Sequence, residues 1–171
     1  TFKTIIGLAP AESNSNGVSS IISALQVTCP SLIFSGSQDG VTPPSVHHLP
    51  IFNNISGCKT FVSILGGGHC YFAGPNFNCD FGESVSSTGI SISRTQQQMT
   101  CSNILIPWLD YYLKNDCAAL GIFSDSIASS VVSTQQLCTA IPTVQIIDSA
   151  GSLTASLQGS SYQWYLNDSL L

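Results

Sequence analysis

Two stretches decide the fold: Pro30-Ser31-Leu32-Ile33-Phe34-Ser35-Gly36-Ser37-Gln38-Asp39, and Cys58-Lys59-Thr60-Phe61-Val62-Ser63-Ile64-Leu65-Gly66-Gly67-Gly68-His69. Each is a short apolar run that breaks at glycine and places an ionisable side chain just beyond the break. Runs of this length bounded by turn residues read as buried strands. Outward from them, Thr4 to Leu8 is a further strand, and Val18 to Leu25 has apolar residues at 18, 21, 22 and 25, the spacing of a helix face. Pro43-Pro44 opens a helix through His47, because proline is tolerated in a first turn. Thr95 to Leu113 carries a long helical pattern with Met99, Leu105, Trp108, Leu109 and Leu113, bent before Pro107. Strands separated by helices of this length, up to about residue 115, imply right-handed βαβ units and an α/β fold with a parallel sheet and flanking helices.

After Cys138 the texture changes. Thr143 to Asp148, Ser152 to Leu157 and Tyr162 to Leu166 read as strands with no helix between them, so residues 143–171 form an all-β fragment and Ile141-Pro142-Thr143 is the junction.

Charged residues are only 8% of the 171 and four are Lys or Arg, with a formal net charge of −5. Nothing here neutralises a phosphate backbone, which excludes nucleic acid as a natural partner and disfavours an anionic membrane surface. No apolar run reaches the length of a membrane span. Seven cysteines point to pairing in an oxidising compartment and a secreted or surface protein; buried thiols or a zinc site are the alternatives, and no CxxC spacing favours zinc. Thr1 enters an apolar stretch directly and Leu170-Leu171 follow a strand-like run, so both ends read as cut.

In open parallel sheets, function collects at the carboxyl ends of the strands. That rule selects the loops Ala9 to Asn16, Gly36 to Pro44 and Gly66 to Gly74. The second holds Asp39 and the third His69, an acid and a base at successive strand ends, as a serine triad needs to orient an imidazole and move a proton. Singly, Asp39-Gly40 also reads as a turn pair and His69 as a surface histidine. Glu12 in the first loop, and Tyr71 and Phe72 behind the histidine, are candidate substrate-contacting residues. For His47 and His48 a structural or surface role is expected. A zinc site from His69, Cys70 and Cys79 ranks low, because adjacent ligands point in different directions.

The segment from Pro30 to Asp39, with Val41-Thr42-Pro43-Pro44, resembles the acid strand and loop of α/β-hydrolases, especially the dienelactone-hydrolase and cutinase-like polyesterase branch. Gly66-Gly67-Gly68-His69-Cys70-Tyr71-Phe72 is similar to the histidine loop of that group. The resemblance covers residues 1–140, as the C-terminal part of a hydrolase domain, and implies a secreted serine ester hydrolase in which Asp39 and His69 are catalytic, no cofactor or metal is required, and the chain order is serine, acid, histidine. The departure is that no G-x-S-x-G occurs, so the serine is expected before Thr1 and residues 1–171 alone should be inactive. A peptidase of the same fold and a non-catalytic surface module are the rival readings.

Spacing leaves the disulfides open; Cys29 with Cys58 and Cys117 with Cys138 are the first expectations, leaving one bridge among Cys70, Cys79 and Cys101. The tail from Ser152 to Asn167, with Trp164, resembles the start of an immunoglobulin-like repeat behind secreted Bacteroidetes enzymes with C-terminal sorting signals, which implies attachment at a cell surface.

Overall fold

The two strands that carry the decisive runs lie side by side and parallel. In the computed structural model these are β2 (Ser31–Gly36) and β3 (Lys59–Ile64), with Ser31 opposite Lys59 and Gly36 opposite Ile64. The structure describes residues 2–13 and 17–138 and, of the remainder, the short strands at 146–149, 152–155, 165–166 and 169–170. Strand β1 (Ile5–Leu8) pairs with β2, also in parallel, along its other edge.

Between these strands and after them come α1 (Ser20–Ala24), α2 (His48–Asn54), a 3-10 turn at Cys70–Phe72, α3 (Phe77–Ser86), α4 (Arg94–Lys114) and α5 (Cys117–Ile127). Strand β4 (Val132–Leu137) then closes a four-stranded sheet of order β1-β2-β3-β4.

Period-two alternation divides the sheet's side chains between two helical layers. Leu32, Phe34, Val62 and Ile64 pack on Cys101, Ile104 and Trp108 of α4 and on Phe123 and Ile127 of α5. Ile33 and Phe61 face the other way, onto Ala24 of α1 and Ile51, Phe52 and Ile55 in and after α2. Each such large side chain contributes about 1.5–3 kcal/mol when fully buried.

Several expectations need correction. The sheet is mixed, because β4 runs antiparallel to β3. Its sequence, Val-Ser-Thr-Gln-Gln-Leu, is polar and mostly exposed, as suits an edge strand, and so lacks the apolar run that marks a buried one. The helix after the acid loop begins at His48, one residue past the end of the expected one at His47; residues 43–47 form turns in which the Val46 and His47 amides bond the Pro43 carbonyl. Helices α3 and α5 are additional. Helix α4 is continuous over the span read from the sequence, with Pro107 inside it and a Ser93–Gln96 capping box at its start.

The disulfides are Cys58–Cys138 and Cys70–Cys79, so the expected Cys29–Cys58 and Cys117–Cys138 bridges are overturned. Antiparallel pairing explains the first. Lys59 lies opposite Leu137, which brings the flanking Cys58 and Cys138 to a Cα separation of 4.3 Å. Cys29, Cys101 and Cys117 are free thiols. Burial in the core lifts the Cys101 thiol to about 11, which makes it inert at neutral pH.

Contacts divide the chain into two compact units, 1–138 and 139–171. In the second, β5 (Ile146–Ser149) and β6 (Ser152–Ala155) pair antiparallel, as do β7 (Tyr165–Leu166) and β8 (Ser169–Leu170). The junction at 141–143 and Trp164 lie outside the described residues.

The Cys58–Cys138 bridge ties β4 to the sheet across 80 residues of chain. Replacing both cysteines with alanine is expected to lower unfolding free energy by about 2–4 kcal/mol, read by urea denaturation under non-reducing conditions. An unchanged midpoint would contradict this account of the β3–β4 edge.

Candidate functional site

Because Gly36 and Ile64 pair, the loops after β2 and β3 leave the sheet at the same level and are stitched together at once. The Ser37 amide bonds the Ile64 carbonyl at 3.0 Å, the Gln38 amide bonds the Gly67 carbonyl at 2.9 Å, and the Gly66 amide bonds Ser37 Oγ at 2.8 Å. Gly36 has to be glycine, since a Cβ there would fall 2.6 Å from the Gly68 carbonyl oxygen. Gly66 turns the chain with φ of +72°, a conformation glycine adopts without cost.

This geometry brings Asp39 and His69 into contact. His69 Nδ1 lies 2.9 Å from Asp39 Oδ2; the Asp39 side chain is fully buried, while that of His69 is 24% exposed. Nε2 of His69 has no hydrogen-bond partner among the described residues. The carboxylate is answered on both oxygens. Oδ1 accepts the Thr42 amide at 2.7 Å, in the manner of a cap, and Oδ2 accepts the Thr42 hydroxyl at 3.1 Å as well as the imidazole.

The histidine loop is held from behind by side chains that sequence reading did not single out. Glu83 of α3, buried, accepts the amides of His69 and Cys70, the latter at 3.0 Å. Gln97 of α4, wholly buried, clasps Gly68 by both its amide, at 2.9 Å, and its carbonyl, at 2.8 Å. Arg94 donates to the carbonyls of Cys70 and Ala73, pairs with Asp80, and stacks 4.8 Å from the Tyr71 ring centre. The Cys70–Cys79 disulfide joins this loop to α3. Both cysteines weighed as zinc ligands are thus consumed, and no metal-holding cluster of His, Cys, Asp or Glu occurs among the described residues.

The other singled-out residues lie in different settings. Tyr71 lines a polar cleft of about 390 Å³ with Glu83, Ser87, Ile90 and Arg94. Phe72 packs toward the core, its ring 6.4 Å from that of Phe34. Glu12 anchors the start of α1, accepting Ser19 Oγ and the Ile21 amide, each at 2.7 Å. Its own amide donates to His47 Nδ1 at 3.0 Å. His48 is fully buried against Ser35 and Thr42. A histidine following two prolines and a second histidine gives no periodic signal of such burial.

Two of the three groups are shifted down and one up, each for its own reason. Burial works to raise the Asp39 pKa, but the His69 hydrogen bond, the Thr42 amide, the imidazolium charge and the Thr42 hydroxyl outweigh it, and the carboxyl stays below its ordinary value. The His69 pKa is raised by its hydrogen bond to Asp39, against desolvation, with the charges of Asp39 and Glu83 adding to the rise. Burial pushes His48 down to about 4, against the attraction of Asp39 and with help from the His69 and His47 charges.

Chemically, a buried carboxylate fixes the Nδ1–H tautomer of an imidazole whose other nitrogen is unengaged, which equips Nε2 to take and return a proton. No protein-family model matches the chain, and no curated protein matches it.

A pH dependence follows from His48. Its folded pKa of about 4 lies below the ordinary 6.5, so the unfolded chain binds the extra proton between these values. Stability from this group is complete above about pH 6.5 and falls as pH drops toward 4. The loss approaches about 2–3 kcal/mol. His69 works in the opposite sense: its stabilisation is present below its unfolded pKa and is lost as pH rises through its raised folded value. Urea unfolding at pH 7 and pH 5 is expected to show a shallower decline in His48→Gln than in the parent chain. Equal slopes would refute the assignment.

Proposed function

We propose that this chain supplies the acid and base of a secreted serine ester hydrolase of α/β-hydrolase type, with the nucleophilic serine located before Thr1. The observation that carries the reading is the buried Asp39 carboxylate 2.9 Å from His69 Nδ1, at adjacent carboxyl ends of parallel strands, with Nε2 unengaged. In the reaction, His69 Nε2 removes the serine hydroxyl proton as the oxygen attacks the ester carbonyl. It then returns the proton to the leaving alcohol. Water, activated the same way, cleaves the acyl-enzyme. Asp39 keeps the ring in the Nδ1–H tautomer and stabilises the imidazolium.

Two further features support the reading. Strand β1 pairs only with β2 among the described strands, leaving an edge along which a nucleophile-bearing parallel strand would lie in serine, acid, histidine order. Beside that edge, Leu8 and Phe2 are exposed apolar side chains. The two disulfides fit an oxidising compartment, and among the described residues no helix is long and apolar enough to cross a membrane.

The test is made on the full translation product that contains this chain. Fluorophosphonate labelling is expected to map to a serine preceding Thr1, and ester turnover is expected to exceed peptide turnover across a substrate panel. His69→Ala and Asp39→Asn should each lower kcat by about three to four orders of magnitude. Because His69 must be neutral to act and its pKa is raised, the acidic limb of kcat/KM should fall above 6.5 and shift down in Asp39→Asn. A labelled serine within residues 1–171, or no labelling and no turnover at all, would sink the proposal.

A further inference from the structure

The Asp39–His69 pair does not stand alone beneath the loop. Thr42 Oγ1 sits at the centre of a buried cluster, 3.1 Å from Asp39 Oδ2, 2.8 Å from His69 Nδ1 and 3.0 Å from His48 Nε2. His48 in turn places Nδ1 2.8 Å from Ser35 Oγ, and Nε2 only 3.7 Å from Asp39 Oδ2. Ser35, Asp39, Thr42 and His48 are all buried, and every buried side-chain polar atom among the described residues has a partner.

Proton counting favours one set of directions. A hydroxyl has one hydrogen and a neutral imidazole has one N–H. Were His48 to carry its hydrogen on Nδ1, the Thr42 hydroxyl would have to donate to His48 Nε2. Its oxygen would then lie 3.1 Å from the Asp39 carboxylate with only the His69 Nδ1–H, 2.8 Å from Thr42 Oγ1 and 2.9 Å from Asp39 Oδ2, to be shared between two buried acceptors. With the hydrogen on Nε2 each of the other contacts has a hydrogen of its own, and the His69 Nδ1–H, donated to Asp39 Oδ2, also points at a lone pair of Thr42 Oγ1. Ser35 Oγ–H donates to His48 Nδ1, His48 Nε2–H donates to Thr42 Oγ1, and Thr42 Oγ1–H donates to Asp39 Oδ2. The alternative acceptor for Ser35, the Gly36 carbonyl, is more distant at 3.3 Å.

We propose that Thr42 and His48 are positioning residues for the Asp39–His69 pair: a buried, neutral His48 with its hydrogen on Nε2 aims the Thr42 hydroxyl at Asp39, locking the carboxylate against His69 Nδ1. The role in catalysis rests on the hydrolase reading; the hydrogen-bond relay does not. Its effect is to spread the carboxylate's charge over three donors, Thr42 N, Thr42 Oγ1 and His69 Nδ1, so that His69 is held without being made too basic. The charged and titratable groups facing His69 are Asp39 from the β2–α2 loop, Glu83 from α3 and His48 from α2, with His47 acting on His48 from the same turn. The depressed His48 pKa keeps that ring neutral over the range in which His69 titrates.

Nitrogen-15 NMR of the imidazoles in this chain reads the relay directly, with or without turnover. His48 is expected to be neutral above about pH 5 in the Nε2–H tautomer. Thr42→Val, which keeps the shape and removes the hydroxyl, should raise the His69 pKa by about half a unit to one unit, as the less-compensated carboxylate attracts the imidazolium more strongly. Thr42→Ser, which restores the hydroxyl, should return His69 to its parent titration. In the full translation product the acidic limb of kcat/KM should move up by the same amount in Thr42→Val and return in Thr42→Ser. An Nδ1–H tautomer at His48, or a His69 titration identical in the Val and Ser variants, overturns the proposal. Absence of ester turnover in the unmutated protein beside the expected NMR pattern overturns the hydrolase reading and upholds the relay.

Discussion

A carboxylate withdrawn from water is the constraint from which the rest of this structure follows. Asp39 is fully buried, and an uncompensated charge there would cost several kcal/mol. Its oxygens are met by one backbone amide, one hydroxyl and one imidazole, all contributed within two adjoining loops. Those donors meet only because β2 and β3 are parallel and in register at Gly36 and Ile64. A one-residue slip would turn Leu32 and Phe34 away from α4 and also separate the loops, so the core and the site are secured by the same pairing.

The protein braces the two halves of the pair unequally. Asp39 is held by its own loop, through Thr42, and by the buried ring of His48. His69 is held by elements that come later in the chain: Glu83 on its amide, Gln97 around Gly68, Arg94 on the following carbonyls, and a disulfide from the neighbouring Cys70 to Cys79. The loop backbone is fixed tightly while the imidazole keeps an exposed edge.

The central parallel strands were legible because short apolar runs ending in glycine depend on composition alone, and α4 was legible from its apolar repeat over Met99 to Leu113. Strand β4 was not, since its half-exposed edge position tolerates Ser133, Thr134, Gln135 and Gln136. Helix α3 was hidden for a related reason: Phe77, Phe81 and Val85 are exposed, so no inward stripe announces it. At the site, Asp39 and His69 could be picked out by strand-end position. Their supports could not, because Thr42, His48, Glu83 and Gln97 act through contacts fixed by loop closure, and nothing in local spacing records which buried amide or hydroxyl a side chain will reach. The expected partners of Cys58 and Cys138 failed in the same way, since these two become neighbours only through the unrecognised β4, whereas the one bridge expected among Cys70, Cys79 and Cys101 is present as Cys70–Cys79.

The two histidines around Asp39 show how one carboxylate supports opposite protonation preferences. His69 touches it directly and keeps an edge in solvent, so attraction prevails and the imidazolium is favoured. His48 lies 3.7 Å from the same oxygen with Thr42 interposed and no solvent contact, so desolvation prevails and the neutral ring is favoured. Under one ångström of added distance and the loss of an exposed edge are enough to reverse the balance. That reversal also gives each ring its place: a neutral His48 can donate through Nε2 while accepting through Nδ1, linking Ser35 to Thr42, which an imidazolium with two donors could not do. Acid entering the cluster at His48 would therefore remove an acceptor from Ser35 and set a positive charge beside His69, tying the low-pH fate of the buried network to that of the pair above it.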